Sequence, residues 1–236
     1  MKNIYRIADF NILIEYKYNY TFKVLEEYLV EGNVTPDIEI SVTEKELEVE
    51  LEKSEIKILD VVENSCILRK LANLFIEKYS AVLFHASAIA YNGNAYLFTA
   101  PSGTGKSTHT GLLKELLGDK LTYINDDKPF IKLVDGKFYV YGSPWSGKHR
   151  LNSNVCVPLK AVIKLERSNT NSVNKLDTVS ALTCLLEQAY RYDNEIGASN
   201  LLDFINKMLN SVVFYNLKCN KDISAAQVSF ENILKD

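Results

Sequence analysis

Residues 100–107 differ at one position from the phosphate-binding P-loop pattern G-x-x-x-x-G-K-[ST], because they read Ala-Pro-Ser-Gly-Thr-Gly-Lys-Ser. The two glycines of this segment let the backbone turn its N–H groups inward around phosphate oxygens. In such a loop Lys106 reaches the β- and γ-phosphates of ATP, and the Ser107 hydroxyl is a ligand of Mg²⁺. The pattern therefore predicts a site for ATP and Mg²⁺. The residues expected to bind the nucleotide are Ser102, Gly103, Thr104, Gly105, Lys106, Ser107 and Thr108.

The departure from the pattern lies at Ala100, where a P-loop carries glycine, and we expect a bulkier turn at that point. A predicted strand at 95–100 and a predicted helix at 107–117 supply the context that supports the motif. The start of that helix would direct the positive end of its dipole at a bound anion. A chance match and a degenerate loop without nucleotide are the alternatives. The second is disfavoured because Lys106 and Ser107 are both intact.

Two consecutive carboxylates, Asp126 and Asp127, follow the apolar segment 121–125 and begin 20 residues beyond Lys106. In P-loop folds the neighbouring strand usually ends in an acidic residue that holds magnesium. With two carboxylates, one can hold the metal while the other accepts a proton from a substrate hydroxyl. An exposed Asp-Asp-Lys-Pro turn is the alternative, but the position after an apolar strand favours a catalytic site.

His85 lies in the apolar segment 82–90, which we predict as one strand antiparallel to the strand at 95–100. The connection 91–94 reads Tyr-Asn-Gly-Asn, and Asn-Gly is a strong hairpin signal. Taken alone, a histidine on an apolar strand is more often a core residue than a catalytic group. His109, on the helix after the loop, is interpreted as structural.

Together, the segments Phe-His-Ala-Ser-Ala at 84–88, the loop 100–107 and Asn-Asp-Asp at 125–127 resemble the C-terminal catalytic domain of HPr kinase/phosphorylase. That family belongs to the phosphoenolpyruvate carboxykinase-like P-loop group. Small bacterial HPr-kinase-related proteins are also similar in the loop 141–148 and the strand 158–167. The resemblance covers about the last two thirds of the chain. It implies a kinase, a transferase that uses ATP and Mg²⁺, in which a histidine pairs with one aspartate of the Asp-Asp pair.

By this resemblance, Asp126 is expected to be the general base, with His85 tuning it by hydrogen bonding. Asp127 is expected on the magnesium side together with Ser107, and Lys106 completes the catalytic group. The acidic N-terminal third is unlike the regulatory domain of HPr kinases, so HPr itself is not the expected substrate.

The loop 142–150 carries residues that we interpret as contacts to the phosphate acceptor. Trp145 offers a flat stacking surface or an anchor for a lid, and Lys148 and Arg150 could bind a phosphate or a carboxylate. Arg191, after a predicted helix, is a weaker candidate for a clamp on the transferred group. Ordinary solvated surface charges are the alternative for these basic residues.

The elements that must position these residues predict an α/β fold in which helices cover a mixed sheet. We expect a P-loop core of the HPr kinase type at residues 81–236 and a small α/β subdomain at residues 1–80. Residues 1–80 carry 10 basic and 16 acidic side chains, a net charge of −6, while the remainder carries +3. Within residues 1–80, the strict alternation of glutamate and apolar residues at 46–52 predicts a strand with an acidic face.

The composition excludes several classes of protein. The net charge of −3 gives no general attraction to nucleic acid or to anionic membranes. The chain has neither a bilayer-spanning apolar run nor a signal-like N-terminus, so we expect a cytoplasmic protein. The four cysteines are scattered and are interpreted as reduced thiols rather than zinc ligands. The sequence leaves open whether the chain forms a homo-oligomer.

Two classes of function remain. The first is phosphoryl transfer from ATP to a hydroxyl, carried by a metabolite or by a Ser/Thr side chain of a peptide or protein. The second is a nucleotide-sensing P-loop module that binds ATP and transfers nothing. The pair of carboxylates favours the enzyme, because sensing needs only one metal-binding carboxylate.

Overall fold

The N-terminal segment forms a small sheet with three α-helices. In this computed structural model, which describes residues 1–192 and 194–235, β1 (Lys2–Ile7), β2 (Phe10–Glu15) and β3 (Ile38–Ser41) make a three-stranded sheet. β1 runs antiparallel to β2, and β3 runs parallel to it. The helices of this segment are α1 (Asn19–Leu25), α2 (Glu44–Lys53) and α3 (Leu59–Tyr79).

A nine-stranded mixed sheet is formed by the rest of the chain. Its strands are β4 (Ala81–Leu83), β5 (Ser87–Tyr91), β6 (Asn94–Thr99), β7 (Leu121–Asn125), β8 (Phe130–Val134), β9 (Lys137–Tyr141), β10 (Cys156–Arg167), β11 (Ser172–Lys175) and β12 (Val213–Cys219). Its helices are α4 (Lys106–Leu117), α5 (Thr178–Gln188), α6 (Glu195–Ser211) and α7 (Ile223–Ser229). The strand order is β4-β8-β9-β10-β6-β5-β7, and β12 pairs with both β10 and β11. The predicted α/β class with a mixed sheet is therefore confirmed. Among the described residues, no helix is both long and apolar enough to cross a bilayer.

The long strand β10 aligns two parts of the candidate site. Its first residues pair antiparallel with β9, and the remainder pairs in parallel with β6 on one side and β12 on the other. Parallel strands have their C-terminal ends at the same edge of a sheet, and Lys164 of β10 is level with Thr99 of β6. The end of β10 therefore lies beside the loop that follows β6.

The hairpin between β5 and β6 brings the acidic turn to the same edge. Asn92 and Gly93 both have positive φ, as a tight Asn-Gly hairpin turn requires. On its other side β5 pairs with β7, and Ala88 lies opposite Asn125, the last residue of β7. The residues after β7 consequently lie next to the start of β5.

The predicted strand at 46–52 is wrong, because these residues lie in α2. The side chain of Thr43 accepts a hydrogen bond from the Glu46 N–H, and the Glu46 carboxylate accepts one from the Thr43 N–H. This reciprocal capping box starts a run of Glu, Leu and Lys residues with high helix propensity. Together, the cap and the propensity outweigh the alternation of apolar and acidic side chains.

The predicted strand at 82–90 is interrupted at residues 84–86. β4 pairs with β8, whereas β5 pairs with β6 and β7. Within the interruption, the N–H of His85 donates to the Gln188 carbonyl at 2.9 Å, and the N–H of Ala86 donates to the Asp127 carbonyl at 3.1 Å. His85 therefore lies between two strands with different partners, next to the acidic turn.

Buried side chains from residues 1–80 pack against buried side chains from residues 81–236, the two predicted units. One apolar cluster joins Tyr5 and Phe75 to Phe130, Tyr141 and Trp145. The rings of Phe75 and Phe130 are in contact, with centroids 4.9 Å apart. The division into residues 1–80 and 81–236 stays a prediction.

Candidate functional site

The loop between β6 and α4 has the backbone that its glycines predict. Gly103 and Gly105 have φ values of +76° and +120°, which residues with a side chain rarely adopt. α4 begins directly after Gly105, so the start of this helix borders the loop. Ala100 is not among the described residues with positive φ, and it is buried among apolar neighbours. Alanine therefore fits at the first position without backbone strain.

Lys106 supplies the positive charge of this loop. Its Nζ donates to the Ala100 carbonyl at 2.9 Å, and the residue is buried. Burial lowers the pKa of Lys106, while the carboxylates of Asp127 and Asp126 act in the opposite direction. The ammonium group is thus held within the loop and is stabilised by the charges of the acidic turn.

The side chain of Asn125 holds the acidic turn after β7. Its Oδ1 accepts hydrogen bonds from the N–H groups of Asp127 at 2.8 Å and Lys128 at 2.6 Å. Its Nδ2 donates to the Ser143 carbonyl at 2.8 Å, which ties the turn to the loop 142–150. Successive strand residues face opposite sides, so the turn is what allows two adjacent aspartates to face one site.

The two aspartates have different surroundings. Asp126 is buried, and its Oδ1 accepts a hydrogen bond of 2.5 Å from the Ser87 hydroxyl. Asp127 is partly buried, with its Oδ1 3.5 Å from Nε2 of His85 and its Oδ2 paired with Lys128. The predicted contact between His85 and Asp126 is therefore wrong, because His85 pairs with Asp127. The side chain that contacts Asp126 from β5 is Ser87.

His85 is expected to be uncharged at neutral pH. Burial, and then the positive charge of Lys106, lowers the pKa of His85 below its ordinary value, although Asp127 acts in the opposite direction. A neutral imidazole donates a hydrogen bond through one ring nitrogen and accepts through the other. His85 can therefore orient the neighbouring carboxylate without adding a full positive charge.

These groups line one cavity of about 610 Å³. The predicted residues in its wall are His85, Ser102, Gly103, Gly105, Lys106, Ser107, Thr108, Asp126, Asp127 and Lys148. Thr104 lies outside this cavity and borders a smaller recess beside Arg167. The structure thus brings together nearly all residues that were predicted to bind nucleotide or metal, or to act in catalysis.

A second cavity, of about 440 Å³, lies between α1, α3 and the loop 142–150. The acceptor candidates Trp145 and Arg150 line it. Trp145 is buried, and its Nε1 donates to Oδ1 of Asn64 in α3 at 3.2 Å. Arg191 is exposed and lines neither of the two cavities.

Asp127 lies at the junction of the two cavities, since it lines both, together with Gly147 and Lys148. Gly147 has a φ of +74°, and a Cβ at this position would lie only 3.2 Å from Cβ of Asp127. Glycine therefore allows the loop to approach the carboxylate closely. One carboxylate is within reach of ligands in both cavities.

Arg167, which sequence reasoning missed, holds the loop between β6 and α4. Its Nε donates to the Thr104 carbonyl at 3.1 Å, and its Nη2 donates to the Gly103 carbonyl. No motif spacing links position 167 to the loop, because the parallel pairing of β10 with β6 brings them together. Ser87 and Asn125 were also missed, although each is a polar residue close in sequence to a predicted site residue.

Oxygen ligands for Mg²⁺ could come from Ser107 and the acidic turn. Among the described residues, no group of three or more His, Cys, Asp or Glu side chains could hold a metal ion. Mg²⁺ usually binds one or two carboxylates, with substrate phosphates and water as its other ligands. A hydroxyl and two carboxylates in the wall of one cavity fit a metal–nucleotide site of this kind.

No curated protein matches this chain. Among solved structures, the HPr(Ser) kinase/phosphatase from Coxiella burnetii is similar at 13% sequence identity and a TM-score of 0.36. That similarity covers 65% of this chain and 97% of the other, and it is a distant one. A family model described as SynChlorMet cassette protein ScmC matches residues 48–219. Because this match covers more than half of the chain, the protein belongs to the ScmC family.

Proposed function

We propose that this protein is a phosphotransferase that uses ATP and Mg²⁺ to phosphorylate a hydroxyl group of a small molecule or of a Ser/Thr side chain. The observation that carries the proposal is one shared cavity. In its wall Lys106 and Ser107 of a glycine-rich loop meet His85, Asp126 and Asp127. A positive charge, a hydroxyl and two carboxylates are the groups that phosphoryl transfer from a metal–nucleotide complex needs.

The loop between β6 and α4 would hold the phosphates of ATP. Its N–H groups and the start of α4 favour anions. Lys106 can exchange its hydrogen bond with the Ala100 carbonyl for one with a phosphate oxygen. Mg²⁺ would be held by Ser107 and Asp126, and when bound it neutralises negative charge on the phosphates. Arg167 would keep the loop in place through its two carbonyl contacts.

We assign the general base to Asp127 and the metal side to Asp126, which exchanges the roles predicted from the sequence. Asp127 borders both cavities, so it can reach a hydroxyl that enters from the second one. Asp126 is buried and accepts the Ser87 hydroxyl, which leaves it on the nucleotide side alone. His85, as a neutral imidazole, would orient the Asp127 carboxylate.

In the proposed reaction, the hydroxyl oxygen of the acceptor attacks the γ-phosphorus of ATP. A bond forms between these two atoms, and the bond to the oxygen that bridges the β- and γ-phosphates breaks, so that ADP leaves. The proton of the hydroxyl passes to the carboxylate of Asp127. Lys106 stabilises the charge that develops on the phosphate oxygens.

Replacement of Lys106 by alanine tests this proposal. Transfer of the γ-phosphoryl group is measured with pooled metabolites and with Ser- and Thr-containing peptides. Loss of one charge-stabilising donor typically raises the barrier by about 3–4 kcal/mol, so we expect Lys106→Ala to lose about 10²–10³ in rate or more. Lys120→Ala, at an exposed position after α4, is the control and should retain the parental rate.

Turnover by Lys106→Ala within about threefold of the parent would refute the nucleotide site. ATP binding by the parent without transfer to any acceptor in the pools would instead favour the nucleotide-sensing alternative. In that case Asp127→Asn should bind ATP with the affinity of the parent and, like the parent, should transfer no phosphoryl group.

A further inference from the structure

The second cavity adjoins the nucleotide cavity at Asp127. Its wall is formed by residues from both predicted units, 1–80 and 81–236. α1 contributes Lys23, α3 contributes Asn64, and the loop 142–150 contributes Trp145 among others. A volume of about 440 Å³ is that of a site for a small molecule. The N-terminal segment therefore forms part of a site whose opposite side carries the proposed general base.

Three cations in the wall of this cavity are available to a ligand: Lys23, Lys148 and Arg150. In the part of the chain that the structure describes, none of these side chains forms an ion pair. Lys128 also lines the cavity but is paired with the proposed base, and Glu27 adds one carboxylate. The excess of positive charge favours an anionic ligand.

The side-chain amide of Asn64 in the wall of this cavity also has a free donor group. Asn64 is 7% exposed, and its Oδ1 accepts the hydrogen bond from the Trp145 indole. Its Nδ2 has no acceptor among the described residues, although Asn64 lines the cavity. An oxygen atom of a ligand in this cavity could accept a hydrogen bond from this Nδ2.

Building on the proposed function, we propose that this cavity binds the phosphate acceptor, and that the acceptor is a small molecule with a carboxylate or phosphate group besides its reacting hydroxyl. Lys23, Lys148 and Arg150 bind the anionic group, and Asn64 donates to one of its oxygens. The hydroxyl then lies towards Asp127, at the junction with the nucleotide cavity. Residues 1–80 consequently take part in selecting the acceptor.

The fluorescence of Trp145 provides the measurement, because it is the single tryptophan of the chain. The nucleotide cavity is first filled with Mg²⁺ and a non-hydrolysable ATP analogue, so that anions cannot bind at the loop 100–107. The probes are two pairs matched except for the anionic group: N-acetylserine with N-acetylserinamide, and glycerol 3-phosphate with glycerol. We expect a saturable change with at least one anion and weaker binding of its neutral partner. The pair that responds distinguishes a carboxylate from a phosphate.

Lys23→Gln tests the contribution of the N-terminal segment, because it removes the charge of an exposed side chain and keeps a polar group. Loss of one charge-assisted contact should weaken binding of the anion roughly tenfold and leave binding of the ATP analogue unchanged. Lys53→Gln, at an exposed position at the end of α2 outside both cavities, is the matched control and should bind like the parent.

The inference is overturned if neutral and anionic probes bind equally, if no anion changes the fluorescence, or if Lys23→Gln and Lys53→Gln behave alike. The proposed function fails separately, if the ATP analogue does not bind or if its binding does not respond to Lys106→Ala. Nucleotide binding without an anion response therefore refutes this inference alone. An anion response in a protein that binds no nucleotide refutes the proposed function instead.

Discussion

His109 lies in α4, the helix that follows the loop 100–107, and is only 2% exposed. Its Nε2 is 2.8 Å from Oγ of Ser229 in α7, and its ring packs on Phe98 with centroids 5.2 Å apart. Its Nδ1 is buried and has no hydrogen-bond partner among the described residues. Burial lowers the pKa of His109 from 6.5 to about 4. We predict that the neutral imidazole supports the position of α4 and that protonation destabilises the fold.

The lowered pKa of His109 makes stability depend on pH with a definite sign. The unfolded chain takes up this proton near pH 6.5 and the folded protein near pH 4, so the unfolded state binds more protons between these values. The stabilisation is complete above pH 6.5 and is lost as the pH falls. From these two pKa values, the loss is about 2 kcal/mol at pH 5 and approaches about 3 kcal/mol below pH 4.

Urea unfolding of the parent and of His109→Gln at pH 7 and pH 5 measures this contribution. Glutamine does not titrate, and its amide can still donate to Ser229. Between these two pH values the parent should therefore lose about 2 kcal/mol more free energy of unfolding than the variant. His109→Asn, which is shorter and does not titrate either, separates proton binding from the hydrogen bond. An equal loss in the parent and both variants would refute the reasoning.

Three further predictions concern the site. Asp127→Asn should slow the transfer step by about 10²–10⁴ in single-turnover assays while ATP still binds, because an amide cannot accept the proton; a near-parental rate would exclude Asp127 as the base. Asp126→Asn should raise the Mg²⁺ concentration that gives half of the activity, and an unchanged midpoint in a magnesium titration would contradict its metal role. Arg167→Ala should weaken ATP binding roughly tenfold by calorimetry, because two hydrogen bonds to the loop are lost; unchanged affinity would show that the loop keeps its shape without them.

The features that could be predicted from the sequence depend on local chemistry. Gly103 and Gly105 allow the positive φ values of the loop, and Asn92 and Gly93 form the hairpin turn. Each preference acts within a few residues of the chain. The loop at the start of α4, the hairpin and the turn after β7 were predictable for this reason. The predicted strand at 46–52 is wrong although a local signal exists, because the capping box at Thr43 favours a helix more strongly than the alternation favours a strand.

The features that could not be predicted depend on partners that are distant in the sequence. The interruption at 84–86 arises because its N–H groups bond to the carbonyls of Gln188 and Asp127. The pairing of His85 with Asp127 follows from that interruption. Arg167 reaches the loop through the pairing of two strands far apart in the chain. A single sequence carries no periodicity or spacing that signals such contacts.

The hydrogen bond between Trp145 and Asn64 joins two segments that are 81 residues apart in the sequence. A substitution at either position leaves a buried polar group without its partner, which typically destabilises a protein by about 1–3 kcal/mol. Related chains that change one of these residues are therefore expected to change the other as well, and the two positions should covary. If the acceptor binds in the second cavity, replacing the N-terminal segment by that of a relative should change acceptor preference only when the loop 142–150 is replaced at the same time. We therefore expect the N-terminal third to diverge together with this loop rather than as an interchangeable module.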